Sequence, residues 1–258
     1  MTQAPLRQSV IETILQESQT PTSPTKEHAY SVQLRGVNKV FLQTQFRLQN
    51  IHLNVRQGEF LFITGPSGSG KSTLLKLIYG EERADQGEVR VEGQNVGGLR
   101  GNRLSMLRRR LGVVFQDYKL ISRWTVAENV SFVLRSQGIP RDEVERRLQP
   151  TLRLVGLGNK ANCLPCQLSG GEQQRASIAR AIVGSPRLLL ADEPTGNLDH
   201  DNAMQVLGIL KKLNELGITV MITTHDLYLI ERGQARVAHL NQGRLEVLSS
   251  EQVTPCEP

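Results

Sequence analysis

Apolar residues along the chain follow two rhythms. Phe60-Leu61-Phe62-Ile63, Arg187-Leu188-Leu189-Leu190-Ala191 and Thr219-Val220-Met221-Ile222-Thr223 are short, nearly continuous apolar or β-branched runs. Such runs suit strands buried on both faces of a parallel sheet. Ile51-His52-Leu53-Asn54-Val55 and Glu88-Val89-Arg90-Val91 alternate instead, as half-exposed antiparallel strands do. Leu74, Leu75, Leu77 and Ile78 share one helical face, as do Ile178, Ala179 and Ile182. From Ser31 on, strands and helical patterns take turns, which predicts an α/β domain. Residues of about 120–165 break that rhythm. They are strand-poor, with Val130, Val133 and Leu134 at helical spacing, and predict a helical insertion. Arg236–Val247 predicts a hairpin around Asn241-Gln242-Gly243. No internal repeat is visible.

The ends differ from this core. Residues 1–30 are polar and interrupted by Pro5, Pro21 and Pro24, and are expected to be a disordered extension. Leu6, Val10, Ile11, Ile14 and Leu15 would line one face of a short helix there. The folded domain is expected over 31–248, with a helical subdomain over about 117–170 and a flexible tail over 249–258. No apolar run approaches the ~18 residues a membrane span needs, so a soluble or peripheral protein is expected. The N-terminus lacks the charged-then-apolar pattern of a secretory signal. Three cysteines, Cys163, Cys166 and Cys256, make no disulfide framework, and the lone Cys163-Leu-Pro-Cys166 lacks a second ligand pair for zinc.

Charge adds a partner. The formal net charge is +6, and Gly98–Lys160 alone carries thirteen Lys/Arg against five acids. Anionic lipid at a membrane's cytoplasmic surface attracts such a segment, as does nucleic acid. Arg108-Arg109-Arg110 lies between Leu107 and Leu111, so it belongs to a folded element and not a tail.

The chemistry begins at Gly65-Pro66-Ser67-Gly68-Ser69-Gly70-Lys71-Ser72-Thr73, which fits the phosphate-loop pattern G-x-x-x-x-G-K-[ST] between a strand and a helix. Its glycines let backbone N–H groups turn toward phosphate oxygens, and the helix start adds partial positive charge. Lys71 reaches β- and γ-phosphates, and the Ser72 hydroxyl suits Mg²⁺. Asp192 ends an apolar strand whose carboxyl edge lies near this loop, placed to hold Mg²⁺ through water. Glu193, one residue on, is placed to polarise the attacking water. Leu168-Ser169-Gly170-Gly171-Glu172-Gln173-Gln174-Arg175 opens a helix with a hydroxyl and two glycines, a second phosphate device. One nucleotide loop with two phosphate devices suggests a site shared between two copies of the chain.

Over residues 31–248 the sequence resembles the ATP-binding cassette (ABC) family. The phosphate loop, the Leu168–Arg175 signature and the Leu188–Glu193 strand stand in that family's order. Alone, Gln116 reads as a surface amide and His225 as a strand-end residue. In this order Gln116, within Val113-Val114-Phe115-Gln116-Asp117, is similar to the glutamine that joins the Mg²⁺/γ-phosphate site to the helical subdomain. His225, in Thr223-Thr224-His225-Asp226, is similar to the histidine that contacts γ-phosphate. Asn197-Leu198-Asp199 resembles the loop lying across the dimer seam. Phe41 stands where the family places an adenine-stacking aromatic; Phe keeps the stacking face without a hydroxyl.

The resemblance implies a P-loop NTPase of ABC type, with a mixed β-sheet core, an antiparallel β subdomain and a helical subdomain. It implies an ATPase using ATP and Mg²⁺. Two chains would sandwich two ATP molecules head to tail, each held by one Gly65–Thr73 loop and capped by the partner copy's signature. Ser72, Gln116 and Asp192 would serve the metal, and Glu193 and His225 the catalysis. An integral membrane subunit would hold the protein peripherally at the cytoplasmic face of the inner membrane; nucleic acid is not expected as a partner. Within the family, Gly58-Glu59-Phe60, Leu107–Asp117 and Ala191–Asp199 resemble the cell-division ATPases most, which would transmit a signal to cell-wall hydrolases. The alternative is the ATPase of a lipoprotein-release or macrolide-type exporter, which shares the Asp192–Asp199 run.

Overall fold

The computed structural model describes residues 30–41 and 46–248. The expected N-terminal extension over 1–30, with its Leu6–Leu15 stripe, lies outside the described residues up to residue 29, while Tyr30 already belongs to a strand; the tail over 249–258 lies outside them too. In chain order the elements are β1 (Tyr30–Phe41), β2 (Phe46–Arg56), β3 (Phe60–Thr64), α1 (Lys71–Ile78), β4 (Gln86–Val91), β5 (Gln94–Asn95), α2 (Gly101–Arg108), β6 (Leu111–Val114), α3 (Val126–Ser136) and α4 (Arg141–Leu154). They continue with α5 (Gly170–Ile182), β7 (Leu188–Asp192), α6 (His200–Glu215), β8 (Thr219–Thr223), α7 (Leu227–Gly233), β9 (Arg236–Asn241) and β10 (Arg244–Leu248).

Among the described residues the strands form a sheet of order β2-β1-β4-β5 and another of order β10-β9-β3-β8-β7-β6. The first is antiparallel throughout. The second is parallel except for its β9–β10 hairpin. This is the expected α/β class: a mixed core sheet, an antiparallel β layer and a helical part.

The continuous apolar runs have a direct cause. Leu61, Ile63, Leu188, Leu190, Met221 and Leu240 point into one core, shared with α1 and the antiparallel sheet. Phe62, Leu189, Ala191, Val220, Ile222 and Val237 point into the other, shared with α3, α5 and α6. Burying each large aliphatic side chain contributes about 1.5–3 kcal/mol. A one-residue slip would exchange the two sets, so register is firmly fixed. The antiparallel layer alternates as predicted: Ile51, Leu53 and Val55 are buried while His52 and Asn54 are exposed.

The helical insertion contains α3 and α4. Thr125 caps α3 through a capping box, its hydroxyl accepting from the Glu128 N–H and the Glu128 carboxylate accepting from the Thr125 N–H. Val130 and Leu134 are fully buried on the face turned to the core, with Val133 beside them. The parallel order brings the carboxyl ends of β3, β8, β7 and β6 side by side, and every candidate catalytic residue follows one of those ends.

Candidate active site

β3 ends at Thr64 and runs straight into the phosphate loop. A Cβ on Gly65, at φ 148°, would lie 2.0 Å from the Leu240 carbonyl oxygen, so any side chain there would push the loop off β9. α1 then starts at Gly70, with no side-chain cap and no acid in its first turn. Its first N–H groups keep their capacity for an anion, undiluted by a neighbouring carboxylate.

Lys71 is 4% exposed. Its ammonium donates to the carbonyls of Gly65 (3.0 Å) and Pro66 (3.2 Å) and lies 3.3 Å from Glu193 Oε1. The other Glu193 oxygen lies 3.5 Å from His225 Nδ1. Glu193 is thus bracketed by the phosphate-loop lysine and the histidine that follows β8. It stands at φ 41°, left-handed for a non-glycine residue, and such strain gathers at functional sites. Thr223 holds it there: the Glu193 N–H donates to Thr223 Oγ1 at 2.9 Å.

Asp192 joins the same knot. Its Oδ1 accepts from Ser72 Oγ at 3.0 Å and from Thr223 Oγ1 at 2.7 Å. A hydroxyl and a carboxylate oxygen from two elements fit a hard cation such as Mg²⁺. Phe41, Ser67, Gly68, Gly70, Lys71, Ser72, Thr73, Gln116 and Glu193 line one cleft of about 440 Å³. Ser69 is buried in the loop, its hydroxyl without a partner among the described residues. The Phe41 ring carries Lys39 Nζ 5.1 Å from its centroid, a cation–π contact at the cleft's edge.

The structure does not bring Ser169, Gly170, Gly171 or Asp199 into that cleft. They form a separate cluster. Ser169 caps α5: its Oγ accepts from the Glu172 N–H (3.2 Å), and its own N–H donates to Glu172 Oε2 (3.0 Å). That N–H, with Lys160 beside it, holds the Glu172 carboxyl below its ordinary range. The Ser169 hydroxyl proton and the Gly170 and Gly171 N–H groups remain available as donors. Asp199 caps α6, accepting from the Asn202 N–H (2.9 Å) and Nδ2 (2.7 Å), which lowers its pKa.

Three residues that sequence reasoning passed over hold the two clusters in shape. Thr223 ties Asp192 to Glu193. Asn202 links Asp199 to α5: its Oδ1 accepts from Arg175 Nη1 at 3.3 Å, and a Cβ on Gly171 would lie 2.1 Å from that oxygen. Arg180 donates to backbone carbonyls just beyond Gln116. Thr223 stood inside a recognised strand, but nothing in the pattern marked its hydroxyl; the others are polar residues on helices. Cys163 packs half-buried against the helical core and Cys166 is exposed, both as free thiols.

A phosphate loop, a strand-end Asp-Glu pair and a strand-end histidine on adjacent parallel strands define a P-loop ATPase. The chain belongs to the ABC transporter family, whose model matches residues 48–196. It is an ABC ATPase, a nucleotide-binding and ATP-hydrolysing subunit. It is 41% identical over 214 residues to the cell division ATP-binding protein FtsE of Streptococcus pneumoniae, covering 83% of this chain and 93% of that one. It is also 41% identical over 238 residues to the methionine import ATP-binding protein MetN of Rhizobium johnstonii, covering 92% of this chain and 65% of that one. Among solved structures, the ATP-binding cassette MJ0796, a dimer in a post-hydrolysis state bound to ADP and Pi, superposes with a TM-score of 0.76. That match has 37% identity and covers 84% of this chain and 99% of MJ0796. No helix among the described residues is long and apolar enough to cross a membrane.

Proposed function

We propose that this ATPase works as FtsE does, at the cytoplasmic face of the inner membrane. ATP cycling in a head-to-tail homodimer would drive an integral membrane subunit resembling FtsX and, through it, cell-wall hydrolases. The observation that carries the catalytic part is the bracketing of Glu193 between Lys71 and His225. Similarity to FtsE along most of both chains supports the biological part.

In this reading Phe41 stacks on adenine and the Gly65–Thr73 loop, including Ser67, Ser69 and Thr73, cradles the phosphates. A triphosphate offers Lys71 a stronger anion than a carboxylate, leaving Glu193 to orient water for attack on the γ-phosphate. His225 donates toward that phosphate. Ser72, Asp192 and Gln116 would hold Mg²⁺; the ion would supply charge neutralisation on the phosphates when bound. Ser169, Gly170 and Gly171 of the second copy close the site, with Asp199 at the seam. Loss of the γ-phosphate releases both devices, and the opening dimer moves the membrane subunit.

Glu193→Gln is expected to keep ATP binding, lower turnover at least ~100-fold and accumulate an ATP-bound dimer in sedimentation. Normal turnover would remove Glu193 from its role. The similarity to MetN favours a second reading, the ATPase of a transporter. The sequence of the membrane protein that co-purifies with the full chain decides between the two.

A further inference from the structure

Arg180, near the C-terminal end of α5, is a cation that the ATPase chemistry leaves unused. It is partly buried, and desolvation pulls its pKa below the ordinary arginine value. Among the described residues no carboxylate lies within ion-pair distance of it. Its fork is directed at two backbone carbonyls instead: Nη1 donates to Lys119 O at 2.5 Å and Nη2 to Tyr118 O at 2.8 Å. Tyr118 (φ 58°) and Lys119 (φ 50°) are consecutive non-glycine residues in the left-handed region. Such a pair persists only where its surroundings hold it. Both lie within three residues of Gln116. The same loop meets the other end of α5, where the Tyr118 hydroxyl lies 3.3 Å from the place a Cβ on Gly170 would take.

We propose that Arg180 is a positioning residue that clamps the Gln116 loop to the signature helix, so that one guanidinium sets the placement of both. Gln116 lines the phosphate cleft of its own chain, while Ser169 and Gly170 lie exposed outside it, where a second copy would meet them. The clamp makes these a single unit: displacement of the loop carries the helix that caps the partner copy's nucleotide. A planar fork matches two adjacent carbonyls, whereas a lysine ammonium is a point charge without that preorganised fork. This inference rests on the roles given above to Gln116 and Ser169–Gly171.

The test is a double-mutant cycle on the full chain, read as steady-state ATP hydrolysis. Arg180→Lys is expected to lower kcat about five- to tenfold with KM for ATP within about twofold, because no nucleotide-lining residue changes. Gln116→Ala is expected to lower kcat about tenfold, and the double variant to be no slower than Gln116→Ala alone. Multiplying losses would overturn the clamp, since Arg180 would then act apart from Gln116; so would a kcat equal to the parent's. A parent-like Gln116→Ala would overturn the reading of Gln116 itself, whatever Arg180→Lys does. Should Arg180→Lys not fold, Arg180→Gln, which keeps one amide donor and loses the fork, must show the same non-additivity with Gln116→Ala.

Discussion

The starts of α1 and α5 are both phosphate devices by sequence, yet they are built in opposite ways. α1 begins at a left-handed glycine, without a side-chain cap and without an acid in its first turn. α5 begins at an extended serine closed by a capping box, with Glu172 in its first turn. Around α1 the groups that the proposed hydrolysis would use converge within one chain: Lys71, Glu193 and His225 are in contact, and Thr223 ties Glu193 to Asp192 and Ser72. Around α5 the contacts are architectural, made by Asn202, Arg175 and Lys160. The first gathers a cation, a hydroxyl and an uncapped helix start in one place, as an anion site would. The second is a rigid, pre-capped surface with acid beside it, unsuited to holding a polyphosphate alone but suited to completing a site whose charge is already met.

The sharpest way to break that contrast is at Lys71. Lys71→Ala is expected to weaken ATP binding about 100-fold, near 2.7 kcal/mol, measured by titration with a fluorescent ATP analogue. No single change in Ser169–Gly171 should approach that in the isolated monomer. Equal losses on both sides would mean that the two devices bind the same nucleotide in one chain.

Gly171→Ala comes next. The added methyl meets the Asn202 side chain, which cannot move without releasing Asp199 and Arg175. Turnover is expected to fall about tenfold while ATP affinity of the monomer holds, because the lesion lies outside the phosphate cleft. Adding Asn202→Ala opens the space and should restore part of the loss. Failure of that rescue would place the need for Gly171 in close approach to nucleotide and not in packing against Asn202.

This contrast also marks how far the sequence could be read. The apolar runs, the phosphate loop, the strand-end acids and the helical insertion were legible because period and spacing are local properties. The cap at Ser169 was legible as a helix start. What holds the site was not: Thr223, Asn202 and Arg180 act on residues 31, 3 and 61–62 positions away, through hydroxyl, amide and guanidinium groups ordinary on any helix or strand. Charge shows the same limit. The basic segment reads as one block, yet the structure divides it. Arg141 pairs with Glu145, and Arg146 and Arg147 with Glu143. Arg108 spends its donors on the Tyr79 and Gly80 carbonyls. Arg103, Arg109 and Arg110, exposed on and just after α2, have no acidic partner among the described residues.

The smallest effect sharpens the comparison through acid. The Ser169 N–H is the main reason the Glu172 carboxyl ionises below its ordinary range in the folded chain. A depressed folded pKa stabilises the fold above the unfolded value, about 4.3 for glutamate, and that contribution fades as pH falls through the folded value. Glu172→Gln keeps an acceptor for the capping box but cannot ionise. Above about pH 5 the variant should therefore melt slightly lower than the parent, by roughly 1 °C, and the gap should close as pH drops below about 4. Glu128 and Glu143, also depressed, titrate alike in both proteins and cancel in the difference. α1, without an acid in its first turn, has no cap carboxylate to titrate. A gap that stays constant across the acid range would mean that the α5 start is held by its neighbours and not by its charged cap, which would bring it closer in kind to the start of α1.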